Sequence, residues 1–112
     1  MSLPRLGRLM YLDSPVRQPD GAGGFTQSWL ELGAMWCEVM LRSGREGVQS
    51  AAPVSAVSYK ITVRAAPVGH PERPIAGQRF RDGDRFFNIR AVAERVGQGS
   101  FLVCFADEEV VI

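Results

Sequence analysis

The tightest constraint on this chain is residues 78–106, where two glycine turns are set between runs of aromatic and β-branched residues. The stretch reads Gln78-Arg79-Phe80-Arg81-Asp82-Gly83-Asp84-Arg85-Phe86-Phe87-Asn88-Ile89-Arg90-Ala91-Val92. After Gly97-Gln98-Gly99-Ser100 it continues Phe101-Leu102-Val103-Cys104-Phe105-Ala106. Asp82-Gly83 is a hairpin signal, because glycine takes the positive φ of a tight turn without steric cost. Gly97-Gln98-Gly99 separates two further strand-like runs in the same way. The expected result is a meander of short strands, and everything upstream has to supply strands that cover its apolar face.

Upstream, residues 6–12 read as a first strand. Residues 13–24 hold Pro15, Pro19, Gly21, Gly23 and Gly24, and on turn chemistry alone they predict a loop. Residues 25–32 predict a second strand, with Asp20-Gly21 setting the turn before it. Residues 34–41 predict a third, with Met35, Cys37, Val39 and Leu41 on one face and Ala34, Trp36, Glu38 and Met40 on the other. Residues 43–58 are small and polar around Pro53, which predicts a long loop, or a short helix over 46–52 that the proline stops. Residues 59–65 alternate cleanly, Tyr59, Ile61, Val63 and Ala65 against Lys60, Thr62 and Arg64. A proline-rich crossing, 67–74, leads into the meander.

Many short strands with no βαβ pattern and no internal repeat define the expected fold class. It is all-β, a small antiparallel barrel or sandwich, with a long loop or short helix between the third and fourth strands. At 112 residues the chain is a single domain, 1–112. The last strand is apolar on both faces, Phe101, Val103 and Phe105 against Leu102 and Cys104, as for a strand central to a sandwich or covered by a partner subunit. The acidic run Asp107-Glu108-Glu109 reads as terminal. The tip Val110-Val111-Ile112 either finishes the core or adds to a neighbour's sheet edge.

Several functions are disfavoured by the composition. The net charge of +1 gives no bulk attraction to nucleic acid or to an anionic membrane. The apolar runs are too short to span a bilayer, and the N-terminus lacks the order of a signal peptide, so the expected location is the cytoplasm. Cys37 and Cys104 both fall in predicted strands and are expected to be buried free thiols, since a bridge requires their strands to pair. His70 is the only histidine and stands in a surface-loop context, with no Cys-x-x-Cys, so neither a metal site nor a cofactor is expected. No serine lies in a nucleophile elbow, and no catalytic residue is assigned. Arg79, Arg81, Arg85, Arg90 and Arg95 with Phe80, Phe86 and Phe87 admit two readings. One is a nucleic-acid platform; the favoured one is a solvated face balanced by Asp82, Asp84 and Glu94.

Read whole, the chain runs from Gly7-Arg8-Leu9 through Thr26-Gln27-Ser28-Trp29 and Met35-Trp36-Cys37-Glu38-Val39 to Arg45-Glu46-Gly47. It continues with Tyr59-Lys60-Ile61-Thr62-Val63-Arg64 and Phe86-Phe87-Asn88-Ile89-Arg90. In this order the pattern resembles the head-tail joining (head-completion or stopper) proteins of tailed phages and gene transfer agents. The resemblance covers nearly the whole chain, with Cys37 standing where the family often has alanine. It implies a non-enzymatic β-barrel that assembles with itself in a ring, a hexamer. The ring would lie below the portal and adaptor proteins and above the tail terminator or tail tube, closing the DNA-filled head. It implies that the loop after Leu41 projects toward double-stranded DNA in the channel, which makes Arg42, Arg45, Glu46 and Gln49 the DNA-facing candidates. Candidates for contact between subunits are Phe101, Val103, Phe105, Val110, Val111 and Ile112. Other readings are a tail-completion or minor tail protein of the same particle, and a small barrel-type nucleic-acid-binding module.

Overall fold

The computed structural model describes residues 3–42, 54–95 and 100–111. Six strands follow one another: β1 Arg8–Pro19, β2 Phe25–Leu41, β3 Val54–Arg64, β4 Arg79–Asp82, β5 Arg85–Arg95 and β6 Phe101–Val111. All neighbouring pairs are antiparallel. The ladder closes on itself in the order β1-β2-β3-β6-β5-β4, so the sheet is a barrel and not a sandwich. β4, β5 and β6 are consecutive antiparallel neighbours, as the expected meander requires, while its second turn, Gly97-Gln98-Gly99, lies outside the described residues.

The turn between β4 and β5 is Gly83-Asp84. Gly83 has φ +64 and Asp84 does not share it, the arrangement of a hairpin turn with glycine at its first central position. Alternation then carries Phe80, Phe87, Ile89, Leu102, Cys104 and Ala106 inward to meet Met10, Leu12, Cys37, Ile61 and Val63 from the first three strands. Tyr59, Ala65, Met35 and Val39 pack on the edge of this cluster, as their strand periods predict, while Leu41 stays exposed at the strand end.

Two expectations about the first half are corrected. Residues 13–19 are strand, not loop, because Pro15 and Pro19 sit where the sheet needs no donor from them. The Asp20 N–H donates to Gly24 O across the turn, so by alternation the nitrogens of Pro19 and Pro15 turn away from β2, toward an edge that pairs with no other strand among the described residues. Residues 25–41 are one strand of 17 residues rather than two. The interruption read at Gly33 is a bulge: Leu12 pairs with Gly33 and Asp13 with Glu31, leaving Leu32 as the extra residue, packed against the core.

Cys37 and Cys104 are buried and free. Their strands both flank β3 and do not pair, so two inter-strand spacings of about 4.8 Å separate them, too far for a bridge. Residues 43–53, most of the expected long loop or short helix, lie outside the described residues, and residues 54–58, expected in the same loop, are corrected to strand as the first part of β3, paired with β6.

Candidate assembly surfaces

One mouth of the barrel is closed by charge. Arg8, Asp82, Arg85 and Glu108 each lie two residues from an inward core residue (Met10, Phe80, Phe87 and Ala106), so all four point inward at the barrel end. Arg8 meets Asp82 at 2.7 Å. Arg85 grips Glu108 with two bonds, Nε to Oε2 at 2.7 Å and Nη2 to Oε1 at 2.9 Å. Both guanidinium groups lie over the buried ring of Phe87, at 5.7 and 5.1 Å from its centroid, and Tyr59 meets that ring edge-on at 5.2 Å. The hydrogen bonds from Arg85 hold the Glu108 carboxyl below its ordinary value of 4.5, and those to Glu108 push the Arg85 guanidinium up.

A second network lies on the outside of β1 and β4. Asp13, at the bulge, is 2% exposed although it faces outward, because Arg79 and Arg81 cover it at 3.1 and 3.0 Å. Arg81 also reaches Glu31 at 2.7 Å and lies over Tyr11. The bonds to Asp13 and then to Glu31 push its guanidinium up. Arg79 is sandwiched between Trp29 and Phe86, 4.0 and 4.1 Å from the two rings. Arg90, the extra residue of a bulge in β5, bonds Asp107, which also accepts from Ser58.

The meander arginines are therefore largely engaged with carboxylates, as the favoured reading expects, but with different ones. Asp82 pairs with Arg8 and Glu94 with Arg73. The carboxylates on Arg79, Arg81, Arg85 and Arg90 are Asp13, Glu31, Glu108 and Asp107. Asp13 lies 66 and 68 positions from its two arginines, so no local pattern marks the contact. Asp107 and Glu108, read as terminal, belong to β6.

The outward face of β2, β3 and β6 carries Phe101, Val103 and Phe105, three of the residues singled out for subunit contact. The register aligns Glu38, Thr62 and Val103 in one row and Met40, Lys60 and Phe105 in the next. Phe101 is buried beneath Arg64 and Arg95, and Phe105 is half-buried beneath Arg42. Arg42 is exposed just beyond β2 and shares a shallow pocket with Lys60, Met40 and Phe105. Among the described residues, Arg42, Lys60 and Arg64 have no acidic partner. Val110 and Val111 continue β6 in pairing with Ser55 and Val54. Arg45, Glu46, Gln49 and Ile112 lie outside the described residues. Lys60 and Trp36, which is 55% exposed, were not singled out in the sequence, because an outward position on a strand carries no sign of whether a partner covers it.

The remaining chemistry is local. His70 is exposed, and its Nδ1 accepts from the Glu72 N–H at 3.0 Å, shaping the crossing loop. Burial pushes the thiols of Cys37 and Cys104 up to about 12. Among the described residues no group of three or more His, Cys, Asp or Glu side chains is placed to hold a metal ion.

The fold is a closed six-stranded antiparallel barrel with ion pairs on its outer surface. The chain matches the phage head completion protein family over residues 1–109. It therefore belongs to that family, whose members are structural proteins of the virion. Among solved structures it is similar to a chain of "Virion of native gene transfer agent (GTA) particle", at 49% identity and a TM-score of 0.84, covering 98% of this chain and 100% of that one. No curated protein matches.

Proposed function

We propose that this chain is a neck subunit of a phage or gene transfer agent particle. It assembles in the bacterial cytoplasm as a ring, a hexamer, below the portal and adaptor. The ring closes the DNA-filled head and gives the tail terminator or tail tube its docking surface, without catalysis. The observation that carries this reading is the match to a gene transfer agent particle chain along its full length at 49% identity. Two physical features support it. The outward faces are carried on a closed barrel, as suits a ring subunit that makes heterologous contacts. β2 ends at Leu41 beside Arg42 and Lys60, two cations with no acidic partner among the described residues. Arg45, Glu46 and Gln49 belong to the segment between β2 and β3 and would line the channel.

The test is electron microscopy of particles from cells lacking the gene. Filled or leaking heads beside separate, complete tails are expected, and intact transfer-competent or infectious particles would overturn the reading. Removing residues 47–52 alone is expected to give tailed particles that lose DNA, and normal retention would take the channel role away from that segment.

A further inference from the structure

The β1–β2 hairpin extends beyond the barrel as an arm. Residues 14–19 pair with 25–30 and with no other strand among the described residues. Phe25 and Leu30 on this arm are 60% and 56% exposed. A two-stranded ribbon is at best marginally stable alone in water, so an apolar arm of this kind calls for a surface to lie on. Its tip is held in shape: the Asp20 carboxylate accepts from the Ala22 and Gly24 N–H groups at 2.8 and 3.0 Å. Arg17 lies 4.5 Å from the Phe25 ring centroid and has no acidic partner among the described residues.

A matching surface exists further along β2. The β2–β3 ladder begins at Cys37 and Val63, and on the far side of that pair the two strands separate. The gap is a groove of about 490 Å³ lined by Leu6, Met35, Trp36, Ala65 and Ala66 together with Arg64 and Glu72. The arm cannot fill its own groove. Phe25 and Trp36 are 11 positions apart (36 − 25) on the same strand, about 36 Å in extended geometry.

We propose that the arm of one copy seats in the groove of the next. Phe25 packs against Trp36, Ala65 and Ala66, Arg17 faces Glu72, and Asp20 faces Arg64. The occupant is a second copy because the tip and the groove are complementary: one base and one acid on the arm meet one acid and one base on the groove. Such a contact joins two different patches, so it propagates head to tail and closes into a ring when the rotation permits. The inference rests on the ring reading above and names the surface that would make the ring.

The test uses purified particles carrying Phe25→Cys together with Ala66→Cys, treated with a short bismaleimide and run on a denaturing gel. The buried native thiols do not compete. A ladder of covalent multimers of this chain, absent from either single variant, is expected. An intrachain product, an adduct to a protein of another mass, or monomer alone in particles whose neck still shows the ring would overturn the arm contact while the ring reading stands. Particles of the unsubstituted protein that lack this chain would overturn both. Charge exchange is the second measurement. Arg17→Glu and Glu72→Arg are each expected to lower the yield of tailed particles about tenfold, and their combination to restore it to within about threefold. A double variant no better than the singles would overturn the proposed seating.

Discussion

Glu108 places a carboxylate on the inward face of β6, next in line after Leu102, Cys104 and Ala106, where an apolar side chain would ordinarily sit. The two-point grip of Arg85 is what makes this position tolerable. Because the folded carboxyl is held below its ordinary 4.5, the pair contributes stability that is fully present above that value. The contribution is lost as pH falls through the lower, folded-state value. The melting temperature should therefore drop from about pH 5 downward, and Glu108→Gln should remove part of that acid slope when melting is followed against pH by circular dichroism. At neutral pH, Arg85→Ala should cost about 1–2 kcal/mol in urea unfolding. This is less than for a wholly buried pair, because the Arg85 side chain is 43% exposed and water screens it.

At the scale of elements, turn glycines and bulges set the register. Gly83 has open space where a Cβ would go, so its role is purely conformational. Gly83→Ala should cost about 1–2 kcal/mol through the positive φ alone, with the denaturant slope unchanged. A neutral result in equilibrium unfolding would show that the β4–β5 turn can change type. The second turn glycine set, Gly21 and Gly23, was legible as a turn but not in extent. Prolines and glycines punctuate a sequence in the same way whether they end a strand or sit on its open edge, which is why 13–19 read as loop. Gly33 likewise read as a break, when the extra residue of a bulge lies beside it at Leu32.

At the scale of the molecule, closing the barrel buries one face of every strand and leaves the other to solvent or to partners. Val103 sits half-buried on the outward face, between Phe101 and Phe105. Val103→Glu should cost the monomer about 1 kcal/mol, since the side chain points away from the core, while sharply lowering the yield of tailed particles. A monomer that unfolds, seen by circular dichroism, would make this face part of the core. Normal particle yield would remove it from the assembly surface.

The strand period of residues 59–64 in β3 and of the meander, the turn at Gly83 and the burial of both cysteines were determined by local sequence, because alternation and positive φ are properties of neighbouring residues. Tertiary structure alone decided barrel over sandwich, the single long β2, and the pairing of Asp13, Glu31, Asp107 and Glu108 with the meander arginines. It also decided that an arm at the start of β2 and a groove beside Met35 and Trp36 both stand open. Each of these depends on which strands lie side by side in the closed ring. That is set by the burial of one shared core, and contacts 66 and 68 positions apart leave no periodicity in the chain.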